Sequence, residues 1–62
     1  MFSILKVLDD GTLHLVEEVD GLEAARERVA ELVRFWPDAY VILDQATGEK
    51  LTITPGGEAQ IN

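Results

Sequence analysis

Along the 62-residue chain, apolar positions fall into two pairs of strand-like runs separated by one stretch at helical spacing. Phe2 to Leu8 and Thr12 to Val19 read as strands, with "DDGT" (Asp9 to Thr12) as the turn between them. Asp-Gly serves a two-residue type I′ loop, or a three-residue loop whose glycine takes the left-handed position and forms a G1 bulge. A one-residue slip moves every side chain to the other face, so the apolar pattern chooses between the two. The shorter loop sets Lys6 on the face of Leu13 and Leu15. The longer one pairs Leu8 with Thr12, Val7 with Leu13, Lys6 with His14 and Leu5 with Leu15. It gathers Leu5, Val7, Leu13, Leu15 and Val19 on one face and sends Lys6 and His14 to the other, so the bulged hairpin is predicted.

"DGLE" (Asp20 to Glu23) has the form of a capping box, with Asp20 accepting from the Glu23 backbone and Glu23 reaching back. The helix it opens runs to about Phe35 or Trp36, where Pro37 disfavours helical geometry in the residue before it. Leu22, Ala25, Val29, Leu32, Val33 and Trp36 make one apolar stripe. Trp36 is expected to close the core where the helix meets Pro37. Arg28 with Glu31, and Glu31 with Arg34, stand three apart and can pair.

The second strand pair, Tyr40 to Asp44 and Lys50 to Thr54, brackets "QATGE". With Gly48 left-handed in a three-residue loop, Asp44 pairs with Lys50, Leu43 with Leu51, Ile42 with Thr52, Val41 with Ile53 and Tyr40 with Thr54. Val41, Leu43, Leu51 and Ile53 then face the helix. The order is ββαββ, an α+β domain over residues 1–54 followed by a flexible tail over 55–62. The first and third strands are apolar on both faces and belong in the middle. The predicted sheet is therefore four-stranded and antiparallel, in order 2-1-3-4, with the helix on one face; order 1-2-3-4 is the alternative.

One helix covers one face. On these registers the other face carries Phe2, Ile4, Leu8, His14, Val16, Tyr40 and Ile42, an apolar cluster inside a polar rim. Such patches mark interaction sites, and soluble homo-oligomers are most often two-fold dimers with self-complementary surfaces. These seven residues are the predicted interface. On this reading Ile42→Lys releases folded monomers, and Val29→Lys unfolds the chain. The alternatives are a slipped register, or a tail folded back through Ile61.

Composition narrows the function classes. A chain of this size buries only about 60% of its unfolded surface, and with no cysteine and one histidine it has neither a disulfide framework nor a Cys/His zinc site. No apolar run approaches the roughly 20 residues of a membrane span. The first ten residues lack a basic n-region and a small-residue cleavage site, so no signal peptide is expected. A cytoplasmic protein is expected. The net charge of −7, from 12 acids and 5 scattered bases, argues against direct nucleic-acid binding.

Chemistry is sparse. His14 has Lys6 as its expected cross-strand neighbour, a poor partner for a general base. Glu17, Glu18, Asp20 and Glu23 cluster at the helix start, where acids suit the macrodipole, and they do not match a calcium loop. "GEK" lacks the rest of a phosphate loop. No catalytic, metal or cofactor site is expected.

The segments "ILKVLDDGTL", "LEAARERVAEL" and "PDAYVILDQATGEKL" together resemble a loose group of short stand-alone bacterial proteins of unknown function. That resemblance implies a cytosolic bacterial setting and no activity. The sequence thus points to a non-enzymatic interaction module that partners itself. An acidic adaptor or inhibitor of a basic protein, imitating nucleic acid, is the alternative, and a small-ligand binder or enzyme comes last.

Overall fold

Two glycines in the left-handed region, Gly11 at φ +87° and Gly48 at φ +80°, close the two hairpins from which the sheet is built. The chain runs β1 (Phe2–Val7), β2 (Leu13–Val19), α1 (Leu22–Phe35), β3 (Tyr40–Asp44), β4 (Lys50–Ile53) and β5 (Ala59–Ile61). This architecture comes from a computed structural model that describes residues 1–55 and the backbone of 59–61. The sheet is antiparallel throughout, in order β2-β1-β3-β4-β5. The predicted order of the first four strands is the observed one. β2 and β3 run parallel with β1 between them, and α1 bridges them across one face.

The fifth strand is an addition. Ala59–Ile61 pairs with β4 where the sequence suggested part of a tail; residues 56–58 and 62 of that tail lie outside the described residues. The physical reason is the free edge of β4, whose unpaired backbone groups offer a ladder to any strand within reach.

The first hairpin has its predicted three-residue loop. Gly11 N–H donates to the Leu8 carbonyl at 2.9 Å and Leu8 N–H to the Thr12 carbonyl at 2.8 Å. Asp10 Oδ1 accepts from both the Thr12 backbone and hydroxyl, at 3.0 and 2.6 Å, which holds the Asp10 carboxyl below its usual range. The register Val7–Leu13, Lys6–His14, Leu5–Leu15 follows. Beyond it the ladder slips: Ile4 stands opposite Glu17, so Val16 is the extra residue of a bulge. The bulge reverses the parity of β2. Leu13 and Leu15 lie on one face, Glu17 and Val19 on the other.

The second hairpin departs from expectation by one residue. Its loop has four residues, Gln45 to Gly48: Asp44 N–H donates to the Glu49 carbonyl at 2.9 Å and Gly48 N–H to the Asp44 carbonyl at 2.7 Å. Asp44 Oδ1 accepts from Ala46 N–H at 2.9 Å, and Thr47 Oγ1 from Glu49 N–H at 3.2 Å. Local side-chain acceptors of this kind stabilise the longer turn, and glycine occupies the left-handed position in either loop. Lys50 therefore stands opposite Leu43, Leu51 opposite Ile42, Thr52 opposite Val41 and Ile53 opposite Tyr40. The expected Asp44–Lys50 pair does not form.

The predicted capping box does not form either. Gly21 is the N-cap, with no side-chain cap, so Glu23 stands at the second helical position rather than the third and cannot reciprocate with Asp20. The helix ends at Phe35 as expected. Trp36 N–H donates to the Leu32 carbonyl at 2.7 Å, and the Trp36 carbonyl accepts from the Tyr40 hydroxyl at 2.9 Å.

The core beneath α1 consists of Ala25, Val29 and Leu32 from the helix and Ile4, Tyr40 and Ile42 from the sheet, with Phe2, Val19, Val33, Leu51 and Ile53 around them. Ile4, Ala25 and Val29 are fully buried. Trp36 is not a core lid: it is 58% exposed, beside Phe35 at 72%, because the chain turns at the C-cap and leaves both rings outside. Leu22, at the other end of the stripe, is also exposed.

Candidate functional site

Alternation from the core residues assigns every strand position to a face. Phe2, Ile4, Tyr40 and Ile42 pack against the helix side of the sheet, so β1 and β3 have the opposite parity to the predicted one. Five of the seven predicted interface residues are thereby removed from the open face, the fifth being His14, which stands opposite Lys6 and alternates with Leu13 and Leu15. The reason lies in β4. One helix shelters one face, and the apolar residues of β4, Leu51 and Ile53, need that shelter. The four-residue loop places them beside Ile42 and Tyr40 rather than beside Leu43 and Val41. The other two predicted residues sit on the first hairpin, Leu8 beside its loop and Val16 at the bulge, both exposed.

The face away from the helix is still apolar, with different residues. Leu5, Val7, Leu13, Leu15, Val41 and Leu43 share it through the pairings Leu5–Leu15, Val7–Leu13 and Leu5–Val41, with Leu43 two residues beyond Val41. Leu13 and Leu15 are 46% and 51% exposed. Val41 is buried without help from the helix, because its cross-strand neighbours Leu5 and Thr52 flank a short branched side chain on a central strand. Sequence reasoning found that both faces of β1 and β3 were apolar; the loop length that sorts them was carried by Gln45 and the Asp44 carboxylate, which was read as a strand charge.

Polar groups border the patch at one end. Gln45 Nε2 donates to Ser3 Oγ and to Glu18 Oε2, each at 2.7 Å. Ser3 stands opposite both Glu18 and Leu43, and Leu43 opposite Lys50. Glu18, Ser3, Leu43 and Lys50 therefore form one row across four strands.

On the helix side, Glu17 accepts from Arg28 Nε at 2.8 Å, and Glu31 lies 3.6 Å from Arg28 Nη1. These partners, Glu17 above all, raise the Arg28 pKa from an already high value. Glu31 does not join Arg34 in an ion pair, since it lies beside Arg28. Lys6 Nζ lies 3.3 Å from Asp38. Burial pushes the Tyr40 phenol above its ordinary range; Lys6 opposes this and Asp38 adds to it. Two of the acids near the helix start are thus separately engaged, Glu17 with Arg28 and Glu18 with Gln45. Among the described residues no group of three or more His, Asp or Glu side chains is placed to hold a metal, and no helix is long and apolar enough to cross a membrane.

Compared with known proteins, the chain matches no protein-family model, no curated protein and no solved structure.

Proposed function

We propose that this protein is a non-enzymatic interaction module that pairs with a second copy of itself through the sheet face opposite the helix. The observation that carries the reading is the contrast between that face and the rest of the chain. The protein has a net charge of −7, yet the strand positions away from the helix in β1 to β4 hold one acid, Glu18, and one base, Lys50. Two copies repel one another where their carboxylates face each other, and they meet here without that cost. The same face carries the leucines of the first hairpin, and burying them against an identical surface removes apolar area from water on both sides. Sheets that stack face to face sit about 10 Å apart with interdigitating side chains, a spacing that leucine and valine fill.

Sedimentation velocity over a range of protein concentrations tests it. A species of twice 6.9 kDa that dissociates on dilution is the expected result. A single 6.9 kDa species at millimolar concentration refutes it. The competing reading, an acidic adaptor holding a basic protein, finds less support on α1, where arginines lie among the carboxylates. It predicts a monomer whose partner binding falls steeply with salt.

A further inference from the structure

The row Glu18–Ser3–Leu43–Lys50 does more than border the patch: its charges sit at opposite ends, on the first and fourth strands of the order β2-β1-β3-β4. Three strand spacings separate them, about 14 Å at 4.8 Å each. Neither has an ion-pair partner within the protomer among the described residues. Resting on the homodimer reading, we infer that the two copies are related by a two-fold axis parallel to the strands, running between β1 and β3, so that Glu18 of each protomer meets Lys50 of the other.

The geometry leaves few choices. A face-to-face pair has its two-fold axis in the plane between the sheets. An axis along the strands keeps each residue in its row and exchanges left for right. Glu18 then lies over the second copy's Lys50 and Leu5 over its Val41, each contact occurring twice. An axis across the strands instead exchanges the two ends of the sheet, and sets the charged row over the apolar end at Val7 and Leu13. That arrangement buries Glu18 against the second copy's Leu13, and neither Glu18 nor Lys50 meets a counter-charge, which is unfavourable. The first arrangement stacks Leu5 and Val41 on one another at the centre and closes both ends of the polar row with opposite charges. Gln45 contributes by holding the Glu18 carboxylate through Oε2 on this face, which fixes its position before association. Glutamate and lysine side chains together span the gap between stacked sheets.

Charge exchange tests this register directly. Glu18→Lys and Lys50→Glu are made separately and together, with circular dichroism confirming the helix in each. Each single variant places like charges at both symmetry-related contacts, and its dimer dissociation constant is expected to rise at least tenfold. Mixing the two single variants restores opposite charges at both contacts, so native mass spectrometry should show heterodimer well above the statistical share. The double variant should dimerise about as well as the parent, although it too has lost the Gln45–Glu18 bond. A parent dimer with single variants of unchanged affinity and a statistical mixture overturns the axis and leaves the homodimer standing. A parent protein that stays monomeric at millimolar concentration overturns both.

Discussion

The two faces of the central strands are built from nearly the same kinds of residue and live in different surroundings. Ile4, Tyr40 and Ile42 lie beneath α1 with at most 2% of their surface exposed, while Leu13 and Leu15, as apolar as any of them, are about half exposed on the far side. The helix face also ties its edges down. The Tyr40 hydroxyl satisfies the Trp36 carbonyl, and Glu17 and Arg28 join β2 to α1. On the open face the side-chain bonds from Gln45 to Ser3 and Glu18 lie at the polar border. Apolar character therefore does not tell which side of a sheet is core; parity relative to the one covering element does.

The largest effects expected are those that put a charge on one face or the other. Ile42→Lys buries an ammonium among Ile4, Val29 and Tyr40, and loss of the cooperative unfolding transition is the expected outcome in a urea titration. Even Ile42→Ala should remove about 2–5 kcal/mol, comparable to the whole stability of a domain this small. The reversed parity thus turns Ile42→Lys from a dimer-breaking substitution into an unfolding one. Leu15→Lys, on the open face, should fold and change monomer stability by no more than about 0.5 kcal/mol, while abolishing the dimer in sedimentation. Equal damage from both substitutions would erase the distinction between the faces.

Smaller effects sharpen the contrast. Tyr40→Phe keeps the ring in the core and leaves the Trp36 carbonyl without its donor, at a cost of about 1 kcal/mol in urea unfolding. Tyrosine pH dependence follows from the raised phenol pKa. The folded state holds the proton more tightly than the unfolded chain. The stability contributed is therefore complete below the phenol's ordinary pKa of about 10 and is lost as pH climbs through the raised folded value. As the protein has one tyrosine, absorbance near 295 nm reads Tyr40 alone, and Tyr40→Phe should abolish this alkaline loss. The weakest effect belongs to Arg28→Met. Its ion pair with Glu17 is partly exposed, and a small loss of stability that shrinks with added salt is expected in urea unfolding.

The two hairpins show how far the sequence could be read. In the first, Lys6 and His14 discriminate between loop lengths: one register sets Lys6 among the leucines and the other does not. The chosen three-residue loop is the observed one. In the second, Gly48 occupies the left-handed position whether the loop has three residues or four, and Val41, Ile42 and Leu43 are apolar on both faces, so neither register exposes an obvious error. The Asp44–Lys50 pair favoured the shorter loop by about 0.2–1 kcal/mol. Two turn bonds, from Ala46 N–H to Asp44 and from Glu49 N–H to Thr47, go with the longer one. The Val16 bulge was equally hidden, because Leu13, Leu15 and Val19 keep odd spacing with or without it.

By itself the sequence determined which segments become the helix and the first four strands, where the helix ends, the order of those four strands, and that apolar surface exceeds what one helix can cover. Those properties are local, or follow from counting how many faces of each strand are apolar. Which surface the helix takes was decided only by the tertiary structure. A strand's side-chain period is two, so one residue added at Gln45 or at Val16 reverses everything downstream. The choice then falls to the arrangement that shelters Leu51, Ile53 and Val19 together, a condition that involves three strands and the helix at once.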